Sequence, residues 1–447
     1  MNSAPQRLGS YERPTRTRYT VLGTLCLAAA IAYLSRNILG PAEKSIEEDL
    51  GLSKEAMGLI MGSFFYTYSL MQIPGGWLSD RFGTRLVLPV LATVWATATA
   101  AMGLAVGFYS LLFAYLFIGL AQGGLFPGSV ITFSNWLPPS ERGLAGGTLT
   151  SFMSVGGVVA AFLVGRLLDP VGWRGICYIF GFPGVLWAFW YFVWFRNKPQ
   201  EHPSVNEDEL ALIGAPDHTG EPREARRRED SRKECAPAVW RILLAAPSLW
   251  LIWGQQFFRA SGYIFFPTWF PRYLQETRGV TESQSADLTA VVLTSVVVGA
   301  TAGGVICDWA WRRTQSRRFS RQGVAIISTS ICALAVYFAY ASGSMTEAMV
   351  WMSVAGLMQA VTAPCAIATA IDVGGQHVSK VYSSMNMAGN IGAAICPWVV
   401  AKFVTLSGEQ WDLVLLLFVG IYGASVVCWA LLNPVRSLVP REGGHGT

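Results

Sequence analysis

Charge is what this chain has least of. Asp, Glu, Lys and Arg make up only 14% of the residues against 52% hydrophobic, and the mean hydropathy is +0.39. So little charge cannot keep a water-soluble surface covered, which excludes a soluble globular protein and points to an integral membrane protein. Histidine is scarce too: His202, His218 and His445 stand in polar stretches and His377 in a short loop, none beside other metal-ligating residues. Cys26, Cys177, Cys307, Cys332, Cys365, Cys396 and Cys428 sit singly in or beside apolar runs and read as small core residues. No nucleophile, metal or phosphate-loop constellation stands out, so an enzyme, a cofactor and a nucleic-acid partner are not expected.

What fills the chain instead is apolar runs of near-bilayer length. They cover 19–39, 56–77, 86–106, 110–130, 143–168 and 176–195, then resume at 248–270, 288–309, 323–341, 348–371, 381–403 and 411–432. A helix of ~20 residues crosses the hydrocarbon. The expectation is an all-α membrane protein of about twelve spans, built as a bundle over 19–195 and a second over 248–433. Residues 1–18 form a basic tail, 434–447 a second tail, and 196–247 a charged, proline-bearing linker. Arg7, Arg13, Arg16 and Arg18 precede the first span while Glu43, Glu47, Glu48 and Asp49 follow it, which places both termini and the linker in the cytoplasm by the positive-inside tendency. An inner-membrane monomer is expected.

Against this background Arg36, inside the first span, is the most telling residue. A fixed charge in hydrocarbon costs ~2.5–3.5 kcal/mol on insertion scales and persists where it faces a cavity or a partner. No acid lies in the same segment, so a mobile anion is the expected partner; snorkelling to the interface is the alternative. The halves echo each other: Gly75-Gly76-Trp77-Leu78-Ser79-Asp80 follows the second span, and Gly303-Gly304-Val305-Ile306-Cys307-Asp308 the eighth. Parallel repeats with a transport site between them are the natural reading. Gly146, Gly147, Gly156 and Gly157 in the fifth span, and Gly389 and Gly392 in the eleventh, predict close helix approach.

The stretch Gly75-Gly76-Trp77-Leu78-Ser79-Asp80-Arg81-Phe82-Gly83-Thr84-Arg85 closely resembles the loop between spans two and three of the major facilitator superfamily. The resemblance implies that fold, with Asp80, Arg81 and Arg85 tying and releasing the cytoplasmic ends of the bundles. Tyr33-Leu34-Ser35-Arg36-Asn37, the run Ser63–Pro74, Gly119-Leu120-Ala121-Gln122-Gly123-Gly124, and Asn135-Trp136-Leu137-Pro138-Pro139-Ser140-Glu141-Arg142-Gly143 are similar to the anion:cation symporter branch. That branch includes sialin-like, hexuronate and galactonate carriers. Membership implies transport of a small organic anion, active or facilitative, with Arg36 and Tyr68 lining the substrate cavity and Asn386 and Asn390 at the family's polar positions in the eleventh span; Tyr33 and Gln122 are further candidates around the substrate, and Glu141 and Arg142 further candidates for the gate. Proton-coupled members carry acids where this chain has Ser35 and Gln122, which do not titrate near neutral pH. The coupling ion, a proton or another, is therefore open, with Asp372, His377 and Lys380 as other possible carriers. Arg259 in the seventh span resembles the second arginine of organophosphate:phosphate antiporters, so an organophosphate exchanger is the runner-up. A transporter-like sensor without turnover is a third reading.

Overall fold

The computed structural model describes residues 14–138, 141–214, 241, 243–374 and 378–433. His377, both outer tails and most of the linker, including Arg226 to Arg228, lie outside the described residues. The described chain is helical, without strands.

Its elements are α1 (Thr17–Arg36), α2 (Glu43–Leu50), α3 (Lys54–Phe82), α4 (Thr84–Met102), α5 (Phe108–Gly123), α6 (Leu125–Trp136), α7 (Arg142–Trp194) and α8 (Glu207–Gly214). After the linker come α9 (Pro247–Thr268), α10 (Phe270–Arg278), α11 (Glu282–Thr314), α12 (Val324–Ala341), α13 (Met345–Gly374), α14 (Val378–Leu406) and α15 (Asp412–Leu431). Among the described residues nine stretches are long and apolar enough to cross a membrane. One of these nine is α7, a double pass. Its two runs meet at Gly172, whose φ of 66° and ψ of 169° suit glycine best. Beyond that break Arg174 bonds the carbonyls of Gly103 and Ala105 and pairs with Asp49 at 2.9 Å, closing the end of the bundle. The two remaining passes are α3 and α9, which carry Gln72, and Gln256 with Arg259, inside their spans. With them the count is twelve.

Within each half the close glycine contacts fall where the repeat predicts. Cβ atoms added at Gly156 and Gly392 would lie 2.5 Å from the Ala30 carbonyl oxygen and 2.4 Å from that of Phe257. These glycines seat pass five on α1 and α14 on α9. Gly146 and Gly147 meet nothing within 4 Å, so the expectation of close approach fails there. Along α11 and α13, Gly299 packs on Leu357 and Gly303 on Val361. One turn on, the same register brings Cys307 and Cys365 to 3.7 Å. These two cysteines, single in the sequence, are neighbours in the fold.

Between the halves the contact is made by α3 with α14 and by α7 with α11. The glycines of this seam sit towards the end of the molecule that carries α2. Added Cβ atoms would fall 1.8 Å from the Pro267 oxygen at Gly40, 2.0 Å from the Ala394 oxygen at Gly62 and 2.7 Å from the Pro397 oxygen at Gly58. At the same end Arg166 pairs with Asp287 at 2.6 Å, Ser45 bonds Glu282 at 2.5 Å, and Lys54 pairs with Glu409. Small residues replace side-chain bulk so that backbones can touch without lipid between them.

The opposite, linker-bearing end is organised within the first half. Glu209 of α8, fully buried, accepts from the backbone amides of Thr17 (3.3 Å) and Arg18 (3.1 Å), satisfying two orphan donors at the start of α1. The Arg18 guanidinium bonds Glu209 at 3.0 Å and Glu141 at 3.3 Å. The first part of the linker is thus folded onto the bundle. Arg18→Ala would take the paired cation from the buried Glu209 carboxylate, which keeps its backbone-amide donors, so the loss stays below the ~3–5 kcal/mol of a fully uncompensated buried charge. We expect a clearly lower thermal midpoint in detergent, with Arg18→Lys recovering part of it.

Candidate functional site between the halves

Arg36 ends α1, where Asn37 turns its amide back onto the Tyr33 carbonyl at 2.8 Å and the Tyr115 hydroxyl donates to the Arg36 carbonyl at 2.9 Å. With its backbone held from two sides, the guanidinium projects among aromatic rings. Its central carbon lies 4.5 Å from the centroid of Phe64, 4.7 Å from Phe65, 4.8 Å from Tyr33 and 5.7 Å from Tyr68. Ring faces partly offset the loss of water around a cation, at ~0.5–2 kcal/mol each, without neutralising it. Among the described residues no carboxylate pairs with Arg36.

Arg259 on α9 has a different setting. Its Nε donates to Gln256 Oε1 at 3.1 Å and its Nη1 to Gln359 Oε1 at 3.4 Å. Two neutral amides orient this guanidinium but leave its charge intact. It is half-buried within the bundle. Tyr263, one turn further along α9, is within electrostatic reach of both Arg36 and Arg259. Two fixed positive charges from opposite halves therefore share one low-dielectric region, where attraction for an anion is much stronger than in water.

The polar neighbours divide. Asn386 donates to Gln72 Oε1 across the halves at 3.3 Å. Asn390 keeps a buried Nδ2 with no hydrogen-bond partner, an unmet donor of the kind a ligand oxygen satisfies. Gln122 is buried and donates to the Ala32 carbonyl at 2.9 Å, tying pass four to α1. Ser35 is equally buried and donates to the Ile31 carbonyl at 3.4 Å. At the two positions where the family resemblance leads one to look for acids, both side chains are spent on helix contacts. Sequence reasoning misses Gln72, Gln256 and Gln359; an amide inside an apolar span is the signal that could have found them.

The residues expected at the gate lie at the linker end. Arg85 donates from Nε to the Phe192 carbonyl (3.1 Å) and from its backbone amide to Asn197 Oδ1 (2.9 Å). Arg81 lies over Trp77 and Phe82, and Asp80 is exposed. Glu141 holds Arg18 and the Tyr19 hydroxyl, while Arg142 donates to the carbonyls of Ser134 and Leu137. These bonds of Arg85, Glu141 and Arg142 all stay within the first half. In the second half Asp372 is held by Arg321 at 3.2 Å and Arg317 at 3.9 Å, and Lys380 is buried.

The sequence profile described as Major Facilitator Superfamily matches residues 25–317 and 311–445, nearly the whole described chain. The chain belongs to the major facilitator superfamily. Among curated relatives of this superfamily member, the "Probable sulfoacetate transporter" of Cupriavidus necator is 34% identical over 313 residues, covering 70% of each chain. The "D-galactonate transporter" of Escherichia coli O6:H1 is 30% identical over 319 residues, covering 69% of this chain and 71% of the relative. A solved bacterial homolog of the human lysosomal transporter Spinster, in an inward-facing and unoccupied conformation, superposes with a TM-score of 0.72 over 95% of both chains. At 20% identity that likeness speaks for the fold.

Proposed function

We propose that this protein carries a small organic anion, a carboxylate or sulfonate, across the membrane by alternating access. The observation that carries the reading is Arg36: a guanidinium inside the bundle, ringed by aromatics, with no carboxylate among the described residues to neutralise it. In this reading Arg36 is the anion anchor. Tyr33, Tyr68 and Asn390 supply donors beside it, and Asn386 with Gln72 closes one side. The relatives named for a sulfonate and a sugar acid support this substrate class over an organophosphate. Arg259 supplies a second charge, which suits a doubly charged substrate. The basic linker end faces the cytoplasm of a bacterial inner membrane, so the sealed α2 end faces outward and the described state opens inward. Asp80, Arg81, Arg85, Glu141 and Arg142 then form the cytoplasmic gate. Ser35 and Gln122 offer no titrating group at midplane, and Asp372 is engaged by two arginines.

Arg259→Ala tests the two-charge reading. Affinity for a dicarboxylate or sulfocarboxylate is expected to fall at least ~30-fold, as one partner of a desolvated charge pair is lost. A matched monoanion should change less than ~3-fold, as measured by counterflow in proteoliposomes. Equal losses for both would assign Arg259 to packing.

A further inference from the structure

At the α2 end one charged cluster crosses the halves, with Glu43 and Arg272 buried at its centre, Glu47 half-buried and Glu276 exposed at its rim. Glu43, on the first turn of α2, is 1% exposed, and its Oε2 meets Arg272 Nη1 of α10 at 3.4 Å. Arg272 is itself 7% exposed and also faces Glu47 at 3.6 Å and Glu276 at 2.7 Å. Three carboxylates thus surround one guanidinium. The other cation near Glu43 is Lys54, at the start of α3, and it is already paired with Glu409. Fully ionised, Glu43 and Arg272 cancel, the half-buried Glu47 leaves one further negative charge beside Glu43, and the exposed Glu276 draws on the same guanidinium from the rim. Glu43 Oε1 is buried with no hydrogen-bond partner, which a charged oxygen tolerates poorly.

We propose that Glu43 is a proton-binding site of the outer gate, occupied while the α2 end is closed and emptied when that end opens. This rests on the alternating-access reading and adds to it a ligand, the proton, at residues outside the anion cavity. The physics has a definite sign. In the closed state burial, the first cause, and the Glu47 carboxylate beside it push the Glu43 carboxyl well above its ordinary range, although Arg272 and Lys54 pull it down. Opening separates Glu43, on the first half, from Arg272, on the second, and hydrates the carboxyl, which returns towards its ordinary value. A group that binds its proton more tightly in the closed state favours that state as pH falls, by up to tenfold for each unit between its two pKa values. An acidic exterior therefore closes the outer gate and an alkaline one releases it. The proton enters and leaves on the same side, so the site reports outside pH to the conformational equilibrium.

The experiment uses the full chain in nanodiscs without substrate, spin-labelled at Glu48→Cys and Gln410→Cys, with the eighth cysteine of the sequence, Cys235 in the linker, replaced by serine. Both labelled positions are exposed, and the native cysteines among the described residues are buried or half-buried. Distances across the α2 end are read between pH 8 and pH 5. Two distance populations are expected, with the short one gaining about tenfold over the long one as pH falls. Glu43→Gln, a neutral mimic, should hold the short population at every pH. Glu47→Gln removes the carboxylate that helps keep the proton on Glu43, and should move the transition to lower pH. Two populations that ignore pH, or a response that survives Glu43→Gln, would overturn the proton gate while leaving alternating access standing. A single distance at all pH values would overturn both.

Discussion

Replacing Arg36 by alanine is expected to abolish anion uptake, by ~100-fold or more, while the protein still folds and inserts. Removing one partner of a desolvated, hydrogen-bonded charge pair costs ~2–5 kcal/mol in binding, which is ~30-fold to several thousandfold. Here the loss falls within that range, because Arg259 lies on the other half and among the described residues no other cation shares the cage of Phe64, Phe65, Tyr33 and Tyr68. Lysine keeps the charge but not the planar fork that meets two oxygens of a carboxylate or sulfonate at once. Arg36→Lys should therefore retain at most ~10% of uptake, by a higher KM more than a lower rate. Stability should hold or rise in Arg36→Ala, since an unneutralised charge leaves the bundle interior. That pairing of higher stability with lost function separates a functional arginine from a structural one. Uptake within twofold of wild type would remove Arg36 from the site.

The second large effect is expected at Gly62, because of what faces it across the seam. A Cβ there would lie 2.0 Å from the backbone oxygen of Ala394 in the other half, and one at Gly40 would lie 1.8 Å from that of Pro267. Backbone cannot swing aside as a side-chain tip can, so Gly62→Val bars the α2 end from closing while leaving each half's own packing untouched. Uptake is expected to fall ~30-fold or more, the effect of shifting a two-state equilibrium by ~2 kcal/mol. Anion binding that depends on Arg36 should persist in the state left open. Gly147→Ala is the control, since nothing lies within 4 Å of its added Cβ, and it should transport normally. Gly62→Val transporting at more than half the wild-type rate would show that this seam does not need to close.

Much of the architecture is legible in the sequence because membrane insertion imposes length and hydropathy on each span. Arg36 stands out for the same reason: a charge is conspicuous in an apolar run. Pairing over long separations is what stays hidden. Glu209 caps α1 from 192 residues away, and Arg272 meets Glu43 from 229 residues away. In the sequence both look like ordinary charges of polar loops. Glycines are visible, but their partners are not: Gly156 and Gly392 pack within a half, Gly40 and Gly62 across the seam, and Gly146 on nothing within reach of a Cβ. Cys307 and Cys365 become neighbours only through the register of α11 on α13. Gln122 shows the remaining difficulty. Its position is expected in the cavity, and its side chain is committed to the Ala32 carbonyl.

Whether Arg36 anchors an anion is tested most directly by ligand binding to purified protein. The readout is a thermal shift with sugar acids, dicarboxylates, sulfonates, organophosphates and neutral sugars at pH 6 and pH 8. A carboxylate or sulfonate should raise the midpoint of wild type by mass action, and the same compound should leave Arg36→Ala unmoved at both pH values. Stabilisation by a neutral sugar alone, or an anion shift that survives Arg36→Ala, would contradict an anion carrier anchored at this residue.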